Sequence, residues 1–250
     1  MAYPKQSLSK RIYWLITAIM AFITINVSAR DYLSTSFRVL QLGKLPMSEL
    51  HFQSLGGDIT QLYFNRIAKS PFYHYEGENP IAFFEPITDP QTGIVSKNQL
   101  LTVYVPSHVH SPLIFVQKNS PSINNDGLYT SYMVDEAVES FPARTLIAVN
   151  TTGQPLLAKI GRQSLQLSTG VSPPISVIDG TASAQLAEIE LGIYTDDGFK
   201  LIFSRKLLFK PNQRCLLVIA PPRQPGSIQA LVYRVSDNLP QENFLRITQQ

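Results

Sequence analysis

Short apolar runs separated by polar punctuation dominate this chain. Stretches rich in Val, Ile, Leu, Tyr and Phe recur roughly every 8 to 15 residues, at 37–42, 59–64, 81–84, 100–105, 113–116, 145–149, 186–191, 199–203, 216–220 and 230–235. Helical periodicity sustained over three turns is absent. Asp-Gly lies between strand-like runs in Asn124-Asn-Asp-Gly127 and Thr195-Asp-Asp-Gly198, the strongest short-range signal for a hairpin. In the second case Ile193-Tyr194 and Phe199-Lys200 flank the turn. Eighteen prolines, Pro173-Pro174 and Pro221-Pro222 among them, suit strand ends and edges and exclude long helices. The pattern predicts an all-β fold of the sandwich kind.

Laid against itself, the chain shows a faint repeat. Leu113-Ile-Phe-Val116, a Pro/Asn-rich loop, residues 128–135 and then Glu139-Ser-Phe141 are echoed by Leu216-Leu-Val-Ile219, a Pro-rich loop, residues 230–237 and then Glu242-Asn-Phe244. The offset is about one sandwich domain. We therefore expect two tandem immunoglobulin-like β-sandwich domains, residues 30–141 and 142–250, behind an N-terminal signal peptide, residues 1–29.

That leader changes the charge. Lys5, Lys10 and Arg11 precede an apolar stretch of about 14 residues, 12–25, which ends in Val27-Ser28-Ala29. This is the basic, apolar and small-residue order of a secretory signal cleaved between Ala29 and Arg30. The stretch is short for a membrane span, which needs roughly 20 residues. The alternative is a retained inner-membrane anchor over residues 12–29, with Tyr13 and Trp14 at the headgroups. Without the leader's three basic residues, 18 of the 21 Lys and Arg remain against 18 Asp and Glu. The net charge of +3 disappears, and with it any compositional argument for nucleic acid. Expected locations are periplasmic, outer-envelope or secreted.

Chemistry is sparse. No Gly-x-Ser-x-Gly elbow, His-Glu-x-x-His pair or phosphate-binding glycine loop occurs, so no catalytic residue and no cofactor is assigned. The single Cys215 sits in an apolar run and reads as a small buried hydrophobe. His108 and His110 have metal-ligand spacing, because alternate residues of a strand share a face. Pro106 and Pro112 bracket them and favour a solvated loop. Asp135, Glu136 and Glu139 form the densest acidic group and read as a charged connection between domains. Aromatics peak at Pro71-Phe-Tyr-His-Tyr75 and Phe83-Phe84. Phe72, Phe83 and Phe84 are expected in the core, whereas Tyr73 and Tyr75, two apart, are candidates for an exposed stacking face that takes a sugar or apolar peptide.

The leader, the Phe37-Arg-Val-Leu40 strand, Ser70-Pro-Phe-Tyr-His-Tyr75, Ile81-Ala-Phe-Phe-Glu85 and Phe141-Pro-Ala-Arg-Thr-Leu-Ile-Ala-Val-Asn150, with Gln154-Pro155 after it, come in an order that resembles uncharacterised exported bacterial β-sandwich proteins. The likeness is loose, spans most of the chain after the leader and implies a fold without an activity. Two such domains behind a signal also look like periplasmic pilus chaperones, in which an edge strand completes a partner's sheet. The expectation is a non-enzymatic exported binding or structural protein whose partner is another protein or an envelope glycan. Its alternatives are a carbohydrate-binding module using Tyr73 and Tyr75, a chaperone-like assembly factor, or a hydrolase built on Asp135, Glu136 or His110. Membrane contact is expected only if the leader is retained.

Overall fold

A computed structural model of the chain describes residues 31–43, 47–65, 68–119, 127–178, 183–222, 224 and 226–240. The leader with its expected Ala29/Arg30 cleavage point, turn residues 124–126 and residues 241–250 lie outside the described residues. From Leu33 onward the described residues belong to one compact unit.

Every regular element among them is a strand. The first half runs β1 (Tyr32–Leu42), β2 (His51–Gln53), β3 (Ile59–Gln61), β4 (Tyr73–Glu78), β5 (Ile81–Thr88), β6 (Val95–Val103), β7 (Pro112–Lys118) and β8 (Tyr129–Asp135). The second runs β9 (Thr145–Asn150), β10 (Leu156–Ile160), β11 (Gln163–Leu167), β12 (Gly170–Val171), β13 (Ile175–Ser176), β14 (Gln185–Thr195), β15 (Gly198–Phe209), β16 (Gln213–Ala220) and β17 (Leu231–Asn238). Strands before residue 136 pair only among themselves, giving the sheets β4-β1-β7-β8 and β3-β2-β5-β6. Strands after residue 144 give β12-β9-β16-β17, with β13 also on β9, and β11-β10-β14-β15.

Side-chain alternation explains how these sheets stack. In β1, Phe37 and Val39 point into one core while Leu40 and Leu42 point to the other side. In β7, Ile114 and Val116 join the first core and Leu113 and Phe115 the second layer. A strand buried on both faces has no use for alternating polarity, which is why 113–116 and 215–220 read as continuous apolar runs. Both central pairs, β1 with β7 and β9 with β16, are parallel. Three apolar layers result. One lies between the two sheets of the first half, around Phe37, Phe52 and Phe83. One lies within the second half, around Ile189, Phe209 and Leu217. The third is a seam that joins the halves through Leu40, Phe115, Phe141, Ile147 and Val218.

The two halves share small details. Val39 donates its N–H to Ser70 Oγ (2.8 Å) and accepts from Ser70 N–H (2.9 Å); Ala148 does the same with Ser172 at 2.9 and 2.8 Å. Each serine hydroxyl donates in turn to the carbonyl of the proline after it, Pro71 or Pro173. The repeat is one residue out of step with the sequence match. Val134 stands opposite Leu113 and Val235 opposite Leu216, so Ser236, not Asp237, takes the place of Asp135.

Candidate functional site

The face that distinguishes the halves lies on β11-β10-β14-β15. In β14, Ala187, Ile189 and Leu191 point into the core, so Leu186, Glu188 and Glu190 point outward. Antiparallel pairing sets Leu208, Lys206 and Ser204 of β15 beside them in that order. A bulge follows at Leu191/Gly192, where Ile202 is the extra residue in β15, so that Leu201 and Phe199 turn outward opposite Gly192 and Tyr194, beside the two-residue turn Asp196-Asp197. The Phe199 ring lies on Gly192: a Cβ there would come within 2.2 Å of it. The consequence is an open groove of about 590 Å³ lined by Leu157, Gly192, Phe199 and Leu201, with Lys159 and Glu190 at its rim. Lys159 Nζ pairs with Glu190 (3.3 Å) and Glu188 (3.5 Å), and these carboxylates raise its pKa, Glu190 most. Leu186, Tyr194, Phe199, Leu201 and Leu208 are all about half exposed or more.

The outer face of the first half, β3-β2-β5-β6, has its bulge at the corresponding place, Phe83/Phe84. There the aromatic residue at the bulge is covered, while Ile59 and Val95 elsewhere on the face are about half exposed. The His51 ring stacks on Phe84 at 6.3 Å and Lys97 Nζ lies 5.1 Å from its ring centre, leaving Phe84 only 3% exposed.

A second constellation sits at one end of the seam, on the face that carries Leu40 and Leu42. Glu136, its side chain buried, accepts from Arg38 Nε (3.0 Å) and pairs with Lys69. Lys69 also pairs with Asp237, whose carboxylate is 3.6 Å from Arg214. Arg214 donates to the carbonyls of Glu136 (2.6 Å) and Phe141 (3.0 Å) and lies 4.9 Å over the Phe141 ring. Its desolvation lowers its pKa, against the pull of the two carboxylates. Three cations and two carboxylates from distant parts of the sequence thus interlock where β1, β8, β16 and β17 converge, with the buried Arg214 Nε left without a hydrogen-bond partner.

The residues singled out from sequence fall as follows. Tyr73 and Tyr75 do share a face of β4, but it is the inward one. Tyr75 is 4% exposed and donates to Glu78 O, and Tyr73 packs against Phe37 and Phe52 while its hydroxyl accepts from Tyr63 N–H. Phe72, expected in the core, is turned outward and covers the Arg38 guanidinium at 4.6 Å, because the inward positions of β4 belong to Tyr73 and Tyr75. Phe83, Phe84 and Cys215 are buried, and burial pushes the Cys215 thiol pKa up. His108 and His110 stand exposed in the loop between β6 and β7, so the shared strand face that would aim both at one ion is not formed there. Among the described residues no three His, Cys, Asp or Glu side chains gather as a metal site requires.

His110 instead borders a surface cavity of about 460 Å³ with Ser36 and His74. His74 Nδ1 is 3.4 Å from Ser36 Oγ, and its Nε2 is 3.3 Å from Glu76 Oε1. This order of hydroxyl, imidazole and carboxylate matches that of a hydrolytic relay. Both contacts are long, and the His74 side chain is 64% exposed, so water competes for each partner and the desolvation that activates a nucleophile is missing. Asp135 is no free acid either: it accepts from Ser111 N–H, Ala137 N–H and Ser140 Oγ.

Comparison of the chain with protein-family models and with curated proteins gives no match.

Proposed function

We propose that this is a non-enzymatic exported envelope protein, made of two tandem immunoglobulin-like sandwiches, that binds another macromolecule through the outer face of β11-β10-β14-β15. The observation that carries this reading is the contrast between the two outer faces. One hides Phe84 under His51 and Lys97, while the other leaves Tyr194, Phe199 and Leu201 open around a groove. Contiguous exposed apolar surface rimmed by charge is the usual mark of a binding site.

A photo-reactive amino acid at position 194, in cells that make the full chain, is expected to give a discrete cross-linked species, and the same probe at position 102 on the first half none. Equal labelling from both positions would overturn the reading, as would turnover of a model ester or glycoside by the purified chain.

A glycan is the second reading. The exposed Tyr194 and Phe199 rings, 5.9 Å apart and nearly perpendicular, offer the aromatic surface that the inward Tyr73 and Tyr75 do not. Glycan binding that disappears with Tyr194→Ala would favour it over a protein partner.

A further inference from the structure

We propose that the occupant of this outer face is a second copy of the same chain, stacked face to face about a two-fold axis that runs along the strands between β14 and β15. The proposal rests on the reading of this face as a binding surface and goes further by naming what binds.

Five outward residue pairs of the β14–β15 ladder point to it. They are Leu186 with Leu208, Glu188 with Lys206, Glu190 with Ser204, Gly192 with Leu201, and Tyr194 with Phe199. Rotation about an axis between the two strands sets β14 of one copy over β15 of the other and keeps every residue at its height along the strand. Each residue then meets, across the interface, the copy of its own ladder partner. Glu188 faces the second copy's Lys206, Leu186 its Leu208 and Tyr194 its Phe199, while Leu201 meets the Phe199 ring that lies over the second copy's Gly192. Apolar residues meet apolar ones, opposite charges meet, and every contact occurs twice, as a closed two-fold interface requires.

The ionic stripe supports a copy over a partner of one dominant sign. Lys159 and Lys206 flank a central column of Glu188 and Glu190, so an acidic or basic surface would be opposed by half of it. Pairing edge to edge is disfavoured, because Lys200, Arg205 and Lys206 line the free edge strand β15 and would meet their own like. In projection the overlap of β14 and β15 with the second copy covers roughly 350 Å², from strands spaced about 4.8 Å apart with a rise of about 3.3 Å per residue. Its accessible area is larger because the side chains stand up from the sheet, and a standard interface takes roughly 800 Å² from each partner. The molecule already contains one contact of this kind, the seam, where two sheets stack through an apolar layer beside a cluster of mixed charge.

The test is sedimentation equilibrium of the full chain at about 1 to 100 μM, with Glu188→Lys, Lys206→Glu and an equimolar mixture of the two. The wild type is expected to dimerise. Each variant alone brings like charges together and should weaken the dimer at least tenfold. The mixture should recover it as a heterodimer, since one chain then carries lysine at both positions 188 and 206 and the other glutamate at both, so that opposite charges meet at each contact. Unchanged melting of the separate variants shows that they fold. A dimer indifferent to both substitutions, or weakened by them without recovery on mixing, overturns the proposal. So does a wild type that stays monomeric at 100 μM. If such a monomer still cross-links to another macromolecule from position 194, the binding face survives and only its occupant is wrong; without that cross-link both readings fall.

Discussion

The seam between the halves and the outer face of β11-β10-β14-β15 are built from similar parts, a patch of Leu and aromatic side chains beside a cluster of mixed charge. Their surroundings differ. In the seam Phe115 is 0% exposed, and the side chains of Glu136, Lys69 and Arg214 are 1%, 6% and 7% exposed. On the outer face Leu201 is 49% exposed and the Lys159 side chain 47%. Once water has gone, a charge must be fully partnered or it destabilises the fold, so the seam residues are tied to one arrangement. Ions that keep their water add little to stability and tolerate replacement. The same residue types therefore hold the fold together in one place and remain available to another surface in the other.

The sharpest way to break this comparison is to remove one apolar residue from each region. Phe115→Ala should cost about 4 kcal/mol of unfolding free energy, the usual range for emptying a packed aromatic site. Leu201→Ser should leave the guanidinium midpoint of the monomer where it was. Next in size is Glu136→Gln, which leaves Arg38, Lys69 and Arg214 around a neutral amide. Loss of one partner from a buried ionic group commonly costs about 3 kcal/mol or more, and denaturant unfolding would show it. If Glu136→Gln proved as mild as Glu190→Gln, the seam cluster would be solvated and the contrast would fail.

The sequence disclosed these regions unequally, for reasons that the residues make plain. The strands and the Asp196-Asp197 turn were legible because period-2 patterning and turn chemistry are local. The halves' correspondence was visible in 113–116 and 216–219, and the two Ser-Pro pairs, 70–71 and 172–173, are a further sign of it that only the structure made meaningful. The seam cluster was not legible, since Arg38, Lys69, Glu136, Arg214 and Asp237 meet only after the sheets stack. Its one hint was charge at the ends of apolar strands, Arg38 inside 37–42 and Arg214 just before 215–220. The tyrosines illustrate the limit of parity arguments. Alternation correctly set Tyr73 and Tyr75 on one face, but which face of β4 is buried depends on β1 and β2, whose Phe37 and Phe52 pack against them. The open groove has the same origin, because Gly192 becomes a floor only when a bulge brings Phe199 over it.

A smaller effect tests the junction beside the seam through pH. Burial works to raise the Asp135 pKa, but hydrogen bonds from Ser140 Oγ, Ala137 N–H and Ser111 N–H together outweigh it and hold the carboxyl below its ordinary value. A depressed folded-state pKa contributes stability that is present above the unfolded value of about 3.9 and is lost as pH falls through the folded one. Asp135→Asn should therefore lower the melting temperature at neutral pH, and the difference from wild type should close in acid. A difference that stays constant down to the lowest pH would mean that Asp135 acts by shape and hydrogen bonding alone, without its charge.

The smallest expected effect is at Lys159, and its dependence on concentration is informative. Glu190, then Glu188, raises the Lys159 pKa, so whatever the lysine contributes is present below its unfolded value and lost as pH rises through the folded one. On an open face that contribution is screened by water and salt. Lys159→Met should thus unfold at the wild-type midpoint in dilute solution, whether or not salt is added. At protein concentrations where β14 and β15 are covered, Glu188 and Glu190 lose water beside Lys159, and the substitution should begin to destabilise the assembly. A midpoint shift already present in dilute solution would mean that the face is dry in the monomer, and its likeness to the seam would then extend from composition to energetics.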